Sequence, residues 1–145
     1  MKKPKLILSV NSNNFSERIP KKTEFKRWAS KSLLEDAEIH IKIVARAEGQ
    51  NLNKQFRKRN YATNVLTFRY PETVPLSADI ALCMPVVQEE AAEQDKTVES
   101  HLAHLTVHAM LHAQGFDHST DTEQEFMELM EIDILSQLGI DNPYE

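Results

Sequence analysis

The sequence predicts a single α+β domain, and three observations carry that expectation. Its 145 residues are the ordinary size of one domain. Segments with strand periodicity end by Cys83, whereas the chain beyond reads as helices. No internal repeat, low-complexity tract or linker interrupts it. A chain of this length buries about 68–70% of its unfolded surface, enough for a core without cross-links. The lone Cys83 excludes a disulfide framework and a four-cysteine zinc ribbon, and it suits a reducing compartment.

Residues 6–10 read as a short first strand. A helix from Thr23 to about Leu34 would turn Phe25, Trp28, Ala29 and Leu33 to one side. Ile39, Ile41 and Ile43 alternate with His40, Lys42 and Val44, the period of a half-buried strand. Residues 48 to about 58 form a second helix, with Leu52 and Phe56 one turn apart. Residues 65–69 and 79–83 read as strands joined by a loop that contains Pro71 and Pro75. Pro85 suits the first turn of a helix running to about Gln94. Another helix spans 98–114, with Gly115 as its left-handed stop. Thr120 and Glu123 resemble a capping box. The helix it opens would carry Phe126, Met130, Ile134 and Leu138 on one stripe, closed by Gly139 and Pro143. Cys83, at a strand end, reads as a small buried hydrophobe rather than a nucleophile.

The formal charge of −5 conceals a segregation of signs. Sixteen of the seventeen Lys and Arg residues lie at or before Arg69 against six acids, so that half carries +10. The remaining half holds sixteen acids against Lys96 and carries −15. Two mutually attracting solvated faces would explain this, and so would an anionic partner at the basic half. The basic start at Met1, Lys2 and Lys3 is followed by an apolar run too short for an export signal. Nothing approaches the roughly 18 apolar residues of a membrane span. The expectation is a soluble, cytoplasmic protein with no membrane partner.

Five of the six histidines fall between residues 101 and 118. At ~3.6 residues per helical turn, His101, His104, His108 and His112 share a face. His108 and His112 stand four apart, so their rings can converge on one ion. Such a pair alone is commonly coincidental. The full pattern His-x3-His-x2-Gly-x2-His is not, because Gly115 lets the chain turn back and offer His118. Leu102, Leu105, Val107, Met110 and Leu111 surround these histidines, and burying several unpartnered imidazoles is costly. Three nitrogens with a fourth position open is the arrangement of catalytic zinc. His101 and His104 suit the core or a supporting role, and His40 a structural one. The spacing matches the zinc-peptidase signature except that Ala109 replaces its glutamate base, which argues against proteolysis.

The segment His108-Ala109-Met110-Leu111-His112-Ala113-Gln114-Gly115-Phe116-Asp117-His118 resembles the signature of the YbeY family of bacterial metal-dependent endoribonucleases, His-Gly-x-Leu-His-Leu-x-Gly-Tyr-Asp-His. Leu52-Asn53-Lys54-Gln55-Phe56-Arg57, Thr63-Asn64-Val65-Leu66-Thr67-Phe68 and Ala78-Asp79-Ile80 are similar to further family segments, in the same order. The resemblance runs from about Ile39 to Leu138. Departures are Ala109 for glycine, Ala113 for leucine, Phe116 for tyrosine, Asn60 for aspartate and Arg69 for proline. None removes a histidine of the triple.

The resemblance implies a zincin-like α+β fold with a small mixed sheet of about four strands and the metal site on a buried helix. It also implies single-strand-specific RNA cleavage in rRNA maturation and ribosome quality control. The expected metal ligands are His108, His112 and His118, with one zinc ion or another transition metal such as nickel. The expected catalytic residues are Arg57 and His112. Arg57 would hold phosphate oxygens, although residues 57–59 also read as a solvated basic run. Arg57, Lys58 and Arg59, with Lys54 nearby, would meet the RNA backbone. Asp117 would orient a histidine ligand or else cap a turn. Expected partners are single-stranded RNA, the small ribosomal subunit and assembly factors, with no DNA. Either an activated water or the RNA 2′-hydroxyl would be the nucleophile. A metallopeptidase and a non-catalytic ribosome-assembly factor with a structural metal are the rival functions.

Overall fold

In the computed structural model, residues 3–12 and 19–145 are described. Met1, Lys2, Glu17 and Arg18, which enter the reading of the chain start and its charge, lie outside them. The elements run β1 (Leu6–Asn11), α1 (Lys22–Lys31), β2 (Ala37–Val44), α2 (Arg46–Arg57), β3 (Val65–Tyr70), β4 (Leu76–Cys83), α3 (Met84–Glu93), α4 (Val98–Ala113) and α5 (Asp121–Gln137). The sheet order is β1-β2-β4-β3, with β1, β2 and β4 parallel and β3 antiparallel at one edge. This is the mixed four-stranded α+β domain the sequence predicts. No helix among the described residues is long and apolar enough to cross a membrane.

The alternation of β2 decides how the layers stack. Ile39, Ile41 and Ile43 are buried, and they share a face with Ala78, Ile80 and Leu82 of β4. Against that face lie Phe25 and Trp28 of α1, whose rings meet edge-on at 5.2 Å, and the apolar length of α4. The intervening residues Glu38, His40 and Lys42 face the other side, where α2 crosses. One face of the sheet therefore carries the core, and the other, among the described residues, is largely open.

Two differences from the sequence reading concern helix ends and faces. α1 stops at Lys31, short of Leu34, because the Ser32 hydroxyl donates back to the Trp28 carbonyl at 3.0 Å and takes over the last turn. On α5 the buried stripe is Met127, Glu131, Ile134 and Leu135, while Phe126 is 57% exposed. Of the expected stripe, Ile134 is buried and Met130 and Leu138 pack against the core, so the correction falls on Phe126, with Met127 and Leu135 turned inward beside them. A carboxylate, not an apolar group, occupies the centre of the buried stripe. Thr120 does cap α5, accepting from the Glu123 amide at 3.1 Å.

α2 is seated on the open face through Gly49. A Cβ there would come within 2.9 Å of the buried Cys83 Sγ. Cys83 packs with Val44 and Val86 as the expected small hydrophobe, and burial pushes its thiol pKa up. Gly49→Ala is therefore expected to lose about 1–3 kcal/mol by overpacking, despite alanine's better helix propensity. Cys83→Ala in the same chain should restore part of the loss. A Gly49→Ala variant as stable to urea as the parent would contradict this seating.

Candidate metal centre

α4 is buried along most of its length, from Leu102 to Ala113. His108 and His112 occupy a part of its surface that meets an open groove. Gly115, at φ +103°, reverses the chain after the helix and returns His118 to the same place. The rings of His108 and His112 are nearly parallel, with centroids 6.5 Å apart. His118 completes a triangle, at 5.4 Å from His108 and 5.8 Å from His112. Potential ligand atoms of His112, Asp117 and His118 all lie within 4.8 Å of one another.

Each helical imidazole is held by its inner nitrogen. His108 Nδ1 donates to Glu131 at 2.7 Å, and His112 Nδ1 donates to the Phe116 carbonyl at 3.1 Å. With Nδ1–H so engaged, Nε2 is the free lone pair on each ring. Burial pushes the His112 pKa down, and His108, His118 and Arg57 add to that shift against the Phe116 hydrogen bond. A neutral ring is the ligating form. The imidazoles and their orientation therefore suit the holding of a metal ion.

Glu131 is the residue that sequence reasoning missed. It is 1% exposed, on the inner side of α5. Its carboxylate accepts from His104 Nε2 at 2.8 Å, from His108 Nδ1 and from the Tyr144 hydroxyl. Burial pushes this carboxyl up, but those three donors overcome the effect and hold it at about 2. The signal was available: Glu131 stands four residues from both Met127 and Leu135 on an apolar stripe. His101, also buried, pairs with Glu90 at 2.9 Å, away from the centre.

Asp117 makes the turn contacts that stood as the alternative to orienting a ring, while its carboxylate also lies among the potential ligand atoms of His112 and His118. Its carboxylate accepts from the His118 amide at 2.7 Å and the Ser119 hydroxyl at 2.5 Å, which shapes the turn before α5. Those bonds hold its pKa below the usual range. Rings are oriented instead by Glu131 and the Phe116 carbonyl.

The same groove, a cavity of about 280 Å³, is lined by Arg57, Arg59, Thr67 and the three histidines. Arg57 ends α2, and Lys58 turns left-handed at φ 58°. Asn53, buried on α2, donates to the Tyr61 carbonyl at 2.7 Å, and its own carbonyl accepts from the Arg59 amide. That pinning brings Arg57 and Arg59 to the histidines. Lys54 and Lys58 are exposed nearby and do not line the cavity.

The profile of the family described as Endoribonuclease YbeY matches residues 8–139. The chain belongs to the YbeY endoribonuclease family. Among its YbeY relatives, an Endoribonuclease YbeY of Aromatoleum aromaticum is 51% identical over 127 residues, covering 88% of this chain and 82% of that protein. Another from a Janthinobacterium strain is 48% identical over 148 residues, covering 99% and 97%. The solution structure of a Thermotoga maritima protein has a TM-score of 0.56 at 23% identity, over 92% of this chain and 91% of that one, which shows a shared fold.

The low pKa of Glu131 has a pH signature. Its folded value, about 2, lies below the 4.5 of an unperturbed glutamate, so its contribution to stability is present above about pH 4.5 and is lost as pH falls toward 2. Metal-free protein is expected to weaken through that window in urea titrations. Glu131→Gln, which lacks the ionisation, should be less stable at pH 6 and show a flatter acid limb. Equal acid dependence in the two proteins would contradict this account of the buried carboxylate.

Proposed function

We propose that this chain cleaves single-stranded RNA at the histidine groove, as a cytoplasmic step in maturing rRNA on the small ribosomal subunit. The observation that carries the reading is the convergence of Arg57 and three imidazoles on one cavity. Endoribonuclease is the name its YbeY relatives bear.

His108, His112 and His118 would hold one divalent ion, with zinc as the best match to three imidazoles, and with Asp117 close enough to adjust their spacing. When bound, such an ion supplies Lewis acidity and makes water a stronger nucleophile near neutral pH. The remaining work falls to the chain itself. Arg57 grips two non-bridging oxygens of the scissile phosphate and stabilises the charge that builds there. Arg59, beside it in the groove, holds a neighbouring phosphate, and Lys54 and Lys58 draw the backbone in without reading sequence. Glu131 and the Phe116 carbonyl keep His108 and His112 facing the groove. DNA is not the expected substrate, and assembly factors on the ribosome are the expected company.

Proteolysis is disfavoured by a specific residue. Ala109 occupies the position of the peptidase base, and it is fully buried in the core. No proton acceptor can act from there.

Two experiments test the reading. Elemental analysis of purified protein should find close to one equivalent of transition metal, lost in His118→Ala; unchanged metal content would refute the ligand set. Arg57→Ala should bind RNA but cleave it roughly 10²–10³-fold more slowly, with Arg57→Lys in between. Full cleavage by Arg57→Ala would leave the assembly-factor reading in its place. Sequencing the product ends in the same assays separates the nucleophiles, because a cyclic phosphate end means attack by the 2′-hydroxyl.

A further inference from the structure

The open face of the sheet carries a second cavity, of about 540 Å³, that the metal centre does not use. This size falls within the roughly 300–1,000 Å³ of small-ligand sites. Strand register builds it: Ser9, His40, Asp79 and Phe68 form one row across all four strands, on the side opposite the core. Phe56, from the last turn of α2, closes one side, 54% exposed and 4.6 Å from the Phe68 ring. Lys42 stands in the next row and pairs with Glu48 of α2.

Most polar groups of this floor are fixed by one another. The Ser9 hydroxyl donates to His40 Nδ1 at 2.6 Å, and Glu38 accepts from His40 Nε2 at 3.2 Å. Tyr70 donates to one oxygen of Asp79, and Asp79 lines the cavity as a carboxylate with a second oxygen able to accept. The result is a stiff acceptor and ammonium floor under two aromatic rings. Flat π-faces beside a fixed acceptor are what an unstacked base needs, whereas a flat protein surface would leave such a cavity underfilled.

The second cavity adjoins the first through consecutive residues. On α2, Phe56 lines the open-face cavity and Arg57 lines the histidine groove. On β3, Thr67 lines the groove and Phe68 the open-face cavity, as strand alternation requires. A single strand whose phosphate lies on Arg57 is thus one short step from the Phe56–Phe68 pair.

We propose that the open-face cavity is a base-binding subsite, which stacks one unpaired nucleobase of the RNA on Phe56 and Phe68 while Asp79 accepts from an N–H on its edge. The subsite rests on the RNA-cleaving function proposed for the histidine groove. It orients the strand and favours substrates that are unpaired at that one position.

The test uses a set of single-stranded RNA oligonucleotides in which each base in turn is replaced by an abasic site. Binding is measured with the full chain and with Phe56→Ala, an exposed position whose loss leaves the core intact. One abasic position is expected to weaken binding about tenfold in the parent and to have no effect in Phe56→Ala. The parent should also shift the amide resonances of Phe68 and Asp79 when a nucleoside monophosphate is added. Equal abasic penalties in both proteins, with RNA cleavage intact, would overturn the subsite and leave the function standing. No RNA binding or cleavage by the metal-loaded parent would overturn both. Displacement of those resonances by a protein partner but not by a nucleotide would also overturn the subsite.

Discussion

Burying a carboxylate is expensive unless its oxygens are met by donors. Glu131 is met by three, and they come from three directions. Two lie on α4, at His104 and His108, and the third is Tyr144, near the end of the chain. The contact locks α5 onto α4, fixes the tautomer of a histidine at the centre and anchors the segment that follows α5. Stability and site geometry are therefore one interaction viewed from two sides. Loss of this carboxylate would leave two half-buried imidazoles without this acceptor and the His108 ring free to rotate.

The sheet supplies the complementary constraint. Its core face is covered by α1 and α4, and His108 and His112 open into the groove beside the edge strand β3. α2 arrives at the same edge from the opposite face, carried there by the close approach of Gly49 to Cys83. The groove forms where these two helices, from opposite sides of the sheet, come nearest to each other. That arrangement joins the +10 half of the sequence, in Arg57 and Arg59, to the −15 half, in the histidines.

Much of this was legible in the chain. Period-two isoleucines located β2 and its buried face, and Gly115 marked where α4 would stop. The histidine spacing anticipated a cluster because a helix of ~3.6 residues per turn leaves few other outcomes. Less legible were features that depend on contacts between distant residues. Glu131 and His108 are 23 positions apart, and only the packing of α5 on α4 brings them together. Asp117 is a different case: its bonds to the His118 amide and the Ser119 hydroxyl are local, and the turn role was open from the sequence beside the ring-orienting one. The centre of the buried face of α5 is a carboxylate, which a search for apolar periodicity passes over.

Gly115 connects two of the histidines to the third, and that has a consequence for order as well as for chemistry. His118 sits outside any helix, separated from His112 by five residues of chain, and the core of α4 and the sheet is complete without it. An ion held by all three rings would tie a loose turn to a rigid helix, closing a small covalent-chain loop with a coordination bond. Such a staple acts on the local segment rather than on the fold as a whole. Occupancy would govern how firmly the approach to α5 is held, and the body of the domain would remain folded whether or not the staple is in place.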